Sequence, residues 1–99
     1  MLLEKIKVTK KDIENGDGGN RYSCPVANSI RRNLPGKNEE KEVIVDGLWL
    51  RMHTKVGNRF IGKEFYIRDN LRNWIKRFDT NREVGEITIE FDGNWAKIV

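Results

Sequence analysis

The sequence predicts an α+β fold. It is one small domain over residues 1–99, with two or three helices on one face of a mostly antiparallel sheet, in the order β-α-α-β-β-β-α-β-β. Three observations carry this. Leu71, Trp74, Ile75 and Phe78 stand at i, i+3, i+4 and i+7, the apolar stripe of an amphipathic helix. Ile87, Ile89 and Phe91 alternate with Thr88 and Glu90, the period of a half-buried strand. Asp92-Gly93 follows as a hairpin signal, with Trp95 to Val99 as the returning strand.

The other elements follow in chain order. Leu2 to Val8 alternates imperfectly between apolar and charged residues and reads as a strand. Thr9 lies three residues before Asp12, a relative of the capping box, so Lys10 to Asn15 reads as a short helix with Gly16 as its C-cap. Ser23 or Cys24 suits an N-cap, and Pro25 suits the first turn of a second helix. Val26, Ala27, Ile30 and Leu34 recur at helical spacing, with Asn28, Arg31 and Arg32 on the other face. Pro35-Gly36 stops this helix, and Lys37 to Lys41 is a polar linker. Glu42 to Asp46 and Leu48 to Thr54 are β-like. They are joined by Asp46-Gly47 as a type I′ turn, or run on as one strand with a bulge at Gly47. Val56-Gly57-Asn58 is the next turn, and Phe60 to Ile67 is a third β-like segment interrupted by Gly62. Asp69 is the expected cap of the long helix, which Asp79-Thr80-Asn81 ends.

Composition narrows the function classes. The single cysteine excludes an intramolecular disulfide and any multi-cysteine metal site, and it fits a reducing cytoplasm. A charge at the fourth residue interrupts any signal-peptide core, and no run approaches the ~18 apolar residues of a membrane helix. The net charge of +4 favours anionic partners: an acidic protein complex, nucleic acid or a nucleotide. Fifteen acidic residues scattered through the same segments equally describe ordinary solubility charge.

The glycine-rich run from Gly16 to Pro25 is the most distinctive stretch. Gly18 and Gly19 would let backbone N–H groups approach an anion, and Arg21 would add a guanidinium fork. The same glycines serve equally as a plain connection. A calcium loop fails because Asn15, Asp17, Gly19 and Asn20 do not follow the required ligand spacing. A Walker loop fails for want of a Gly-Lys-Ser/Thr ending. Cys24 at a helix start is a candidate thiolate, but catalysis also needs a base, and His53, the sole histidine, lies on a distant β-like segment. A structural Cys24 and a non-enzymatic protein without cofactor or metal are the expectation.

The basic residues fall into two groups. Arg31 and Arg32 lie on the outer face of the second helix. Arg68, Arg72, Lys76, Arg77 and Arg82 run along the third helix and its flanks, with Lys55, Arg59 and Lys63 extending the patch from the neighbouring hairpin. Trp49 in the hairpin region completes the expected contact surface. Aromatics are not interleaved with these cations along the chain, which disfavours single-strand nucleic-acid binding. A sheet edge after the last hairpin would support a homodimer.

The order of Val8-Thr9, Asp12-Ile13, Gly16, Ser23-Cys24-Pro25-Val26-Ala27, Ile75, Phe78-Asp79 and Val84 resembles a family of small phage and prophage proteins. These share a leading strand, a Cys-Pro-hydrophobic-Ala helix and a late helix ending in Phe-Asp. The resemblance implies a phage accessory product, acting in the host cytoplasm, that binds and blocks a host or defence component as an anti-defence inhibitor. The Leu48 to Ile67 region and the last hairpin lie outside it.

Overall fold

A computed structural model describes residues 4–81 and 83–99. The element order is β1 (Lys5–Val8), α1 (Lys10–Asn15), α2 (Pro25–Asn33), a 3-10 turn (Asn38–Glu40), β2 (Lys41–Val45), β3 (Trp49–Val56), β4 (Arg59–Ile67), α3 (Asp69–Asp79), β5 (Ile87–Asp92) and β6 (Trp95–Ile98). The predicted order and class are both found. Leu2 and Leu3, the start of the expected first strand, and Arg82 lie outside the described residues.

The six strands form one sheet in the order β1-β5-β6-β4-β3-β2, antiparallel except where β4 meets β6. That parallel pairing is only two residues long, Tyr66 with Trp95 and Ile67 with Ala96. Strand alternation sends Ile6, Val8, Val43, Val45, Leu50, Met52, Phe65, Ile67, Ile89, Phe91 and Ala96 to one face, where the helices bury them. Helix α2 packs against both β1 and β2, the two outermost strands. The sheet therefore curls around Val26, Ala27 and Ile30, which are fully buried.

Local chemistry explains most boundaries. Thr9 and Asp12 form a full capping box: the Asp12 N–H donates to Thr9 Oγ1 at 3.3 Å, and the Thr9 N–H donates to Asp12 Oδ2 at 2.9 Å. Cys24 is the N-cap of α2, with Pro25 as its first residue. Four expectations need correction. Asp46-Gly47 does join two strands, but neither residue has the positive φ of a type I′ turn; the Gly47 N–H is instead bonded to Asp46 Oδ1 at 2.7 Å. The last hairpin turns on Gly93-Asn94, one residue later than expected, with Gly93 at φ +59°. Arg68, not Asp69, is the N-cap of α3, and it makes no side-chain cap bond. Gly62 does not interrupt β4; it sits opposite His53, whose Cβ would lie 3.1 Å from any Cβ added there.

The expected dimer edge after the last hairpin is also revised. β6 lies inside the sheet between β5 and β4 and pairs with β4 at Trp95 and Ala96, so the last strand is not an outer edge of the sheet.

Asp12 ties α1 to α2. Burial alone would raise its pKa. The hydrogen bond from Arg32 and those from Thr9 outweigh burial and hold the carboxyl below its usual 3.8. A depressed folded pKa means the stabilisation is complete above about pH 4 and is lost as pH falls through the folded value. Asp12→Ala removes both the box and the Arg32 partner and should cost about 1–2 kcal/mol at pH 7. Asp12→Asn should flatten the acid limb of the stability curve below pH 4. Urea titrations of both variants at pH 7 and pH 3 measure this, and equal losses at the two pH values would refute the linkage.

Candidate binding groove

The cations expected to face a partner are placed differently from one another. The Arg32 guanidinium donates to Asp12 Oδ2 at 2.8 Å and to the Lys7 carbonyl at 3.1 Å, joining α2 to α1 and β1. Arg31 donates to Asn28 Oδ1 at 3.1 Å and to the Tyr22 carbonyl, anchoring the glycine-rich loop. Arg21 approaches Asp46 at 4.0 Å, and its carbonyl accepts the Val45 N–H at the edge of β2. These three arginines serve the fold.

One of the loop's two expected donors is likewise engaged. The Gly19 N–H donates to Asp79 Oδ1 at 2.9 Å, so a carboxylate of α3 already occupies the position expected for an external anion. A Cβ added to Gly18 would meet the Asp79 backbone at 3.6 Å. Ser23 Oγ donates to Asp17 Oδ2 at 2.9 Å, and the Asp17 N–H donates to the Ser23 carbonyl. Gly16 is a C-cap with φ of −83°, a conformation open to any residue. What requires glycine is space, since a Cβ there would lie 2.5 Å from Pro25 Cδ. Cys24 is buried, and burial pushes its thiol pKa up; its Sγ accepts the Ala27 N–H at 3.5 Å. His53 lies on the opposite face of the sheet, 3.9 Å from Glu42. The two side chains expected to act together under a catalytic reading are thus held apart.

What the structure brings together lies on the outer face of the sheet. Trp49 on β3 is opposite Tyr66 on β4, and Tyr66 is opposite Trp95 on β6, forming an aromatic row across three adjacent strands. The Tyr66 and Trp95 rings are 5.7 Å apart at 47°. The Arg68 guanidinium stacks 3.7 Å above Trp95, and Arg51 lies 5.2 Å from the Trp49 ring centroid. The three rings and Arg68 line a shallow groove of about 740 Å³ together with Leu48, Asp69, Arg72 and Lys97, and Arg51 lies beside it. Leu48 is 61% exposed, Tyr66 57% and Trp95 39%, so no element among the described residues covers the row.

Charge in this groove is largely compensated. Arg72 pairs with Asp69, and Lys97 with Glu90 at 3.4 Å and Asp92 at 3.9 Å; beside the groove, Arg51 pairs with Glu64 at 3.2 Å. Arg68 is the one groove cation without a carboxylate partner among the described residues. Lys76 and Arg77 lie further along α3, beside Asn73 and Thr80, away from the rings. The expected basic surface is therefore divided. Its N-terminal part joins Trp49 in the groove, and its C-terminal part is a separate solvated helix face.

Tyr66, Trp95, Arg51 and Lys97 were missing from the expected site. Strand alternation places Trp49 and Arg51 on the face opposite Leu50 and Met52, which was readable. The parallel β4–β6 pairing that adds Trp95 leaves no local signal in the sequence. Arg68 stacks on Trp95 although the two lie 27 positions apart along the chain.

The fold and groove define a small α+β domain with an uncovered aromatic–arginine surface. No family model matches the chain, and neither a characterised protein nor a solved structure does. No helix among the described residues is long and apolar enough to cross a membrane.

The close approach of Gly16 to Pro25 gives a test of the loop's structural role. Gly16→Ala should destabilise by about 1–3 kcal/mol, because backbone and ring must separate. Gly18→Ala, whose Cβ would make only ordinary contacts, should cost less than about 1 kcal/mol. Thermal melts of the two variants compare them, and equal melting temperatures would refute the packing argument.

Proposed function

We propose that this protein is a non-enzymatic binding protein that occludes a protein partner through the groove between α3 and the outer sheet face. The uncovered row Trp49–Tyr66–Trp95, with Arg68 stacked on Trp95, is the observation that supports this. Tryptophan, tyrosine and arginine are the side chains that dominate interface energetics, because they bury large area and still offer directed hydrogen bonds. Charge balance favours a protein partner over a nucleic-acid chain. A phosphate backbone gains affinity from several uncompensated cations, whereas this groove has one among the described residues. A partner surface with apolar or aromatic side chains around a carboxylate fits Arg68 and the rings together. The resemblance to small phage proteins supports a host or defence component as that partner, blocked by occupation rather than by chemistry.

The measurement is affinity capture from bacterial cells expressing the tagged chain. A protein captured by the wild type should be lost with Tyr66→Ala/Trp95→Ala and retained with Lys76→Ala/Arg77→Ala. Both variants should melt close to the wild type, because exposed side chains contribute little stability. Undiminished capture by the Tyr66→Ala/Trp95→Ala variant would overturn the reading. Nucleic acid bound with a steep salt dependence would point to the alternative class.

A further inference from the structure

Strand β4 carries an unpaired edge in the middle of the sheet. It pairs with β3 along Arg59 to Tyr66, but β6 reaches it only at Tyr66 and Ile67. The Ile67 N–H donates to Leu48 on the β3 side, whereas the Tyr66 N–H donates to Asn94 on the other side. Strand parity then directs the N–H and C=O groups of Phe60, Gly62 and Glu64 away from β3. No backbone or side-chain partner meets them among the described residues. Arg59 to Glu64 are exposed without exception, so this outer half of β4 extends past the core with its far edge open, while its β3 partners Met52 and Thr54 stay buried. Phe60 is 72% exposed.

We propose that this edge accepts an extended acidic segment of a partner protein as an added β-strand. Charge selects the occupant. From Lys55 to Lys63 the chain has three cations and no carboxylate, and none of the three is ion-paired among the described residues. Glu39, Glu40 and Glu42 share the hollow around Lys55 on the outer face, so Arg59 and Lys63, on the inner face with Ile61 between them, are the cations that address the edge. Glu64 is held by Arg51 at 3.2 Å. An added strand with carboxylates four residues apart and an apolar residue between them matches Arg59, Ile61 and Lys63. A second copy of this arm would bring like charges together instead. Main-chain bonds supply the affinity in such strand addition, and alternate side chains supply the selectivity. None of these groups lines the aromatic groove, so the proposal stands apart from the reading given above.

The probe is a blocked, fluorescently labelled peptide, Thr-Glu-Thr-Val-Thr-Glu-Thr, titrated into the intact chain. Saturation should slow amide exchange of Phe60, Gly62 and Glu64 at least tenfold, and leave Arg59, Ile61 and Lys63, already bonded to β3, unchanged. Methylating alternate peptide nitrogens in the phase that faces the edge should abolish binding, while the other phase binds normally. Arg59→Ser/Lys63→Ser should weaken binding roughly tenfold, with a thermal melt confirming the fold, and Trp95→Ala should have no effect. Absence of binding, equal affinity for the peptide with lysine in place of glutamate, or indifference to methylation in both phases would overturn the proposal. Concentration-dependent protection of the same three amides without peptide would overturn it in favour of self-pairing.

Discussion

Helix α2 is the constraint on which the rest of the structure depends. Its apolar stripe of Val26, Ala27 and Ile30 is fully buried, and it packs against both outermost strands. A flat six-stranded sheet could not present both of its ends to one nine-residue helix, so the sheet must curl around it. The same contact buries the inner faces of β1 and β2, the outermost strands. Anchoring falls to residues that seemed to face outward. Arg32 reaches Asp12 and Lys7, Arg31 reaches the loop carbonyl of Tyr22, and Gly16 lets the chain pass against Pro25. The glycine-rich loop is thus a fastening for α2, with Asp79 supplying its anion from within.

One topological fact produces both open surfaces. Between β4 and β6 the chain passes through α3 and β5, and the two strands then meet in parallel for two residues. Meeting at all places Tyr66 beside Trp95 and continues the aromatic row begun by Trp49. Meeting so briefly leaves the outer half of β4 paired on one side alone. Parallel neighbours need a long crossover, because the chain must return to the same end of the sheet before it can pair. The groove and the free edge are therefore two consequences of one crossover.

The fold was legible because its signals are local. The stripe from Leu71 to Phe78, the alternation of β5 and the cap at Thr9 each depend on residues within a few positions of one another. Turn chemistry was less legible. Asp46-Gly47 and Asp92-Gly93 read alike in sequence, yet Gly47 keeps negative φ beside an Asp46 side-chain bond while Gly93 turns left-handed one residue later. The site was legible only in part. Trp49, Arg68 and Arg72 were named, but grouped with Lys76 and Arg77 by helical proximity. Tyr66 and Trp95 are 29 positions apart, and a two-residue pairing across that separation has no sequence periodicity to announce it.

The β5–β6 turn sets the boundary between the two surfaces. Asn94 offers its carbonyl to the Tyr66 N–H at 2.7 Å and so closes the β4 edge at the residue where the aromatic row crosses it. Gly93 makes this possible, since its φ of +59° reverses the chain directly into Trp95. A wider turn would move Asn94 away from Tyr66, lengthen the free edge by one donor and separate Trp95 from its neighbours in the row. The aromatic surface and the open backbone are thus held in fixed proportion by a two-residue turn. The two surfaces also differ in the forces they present. In the groove most charges already have internal partners, so ring area and the Arg68 stack prevail. Along the edge the ring area is small and the uncompensated charge is greatest, so main-chain bonding and long-range attraction prevail.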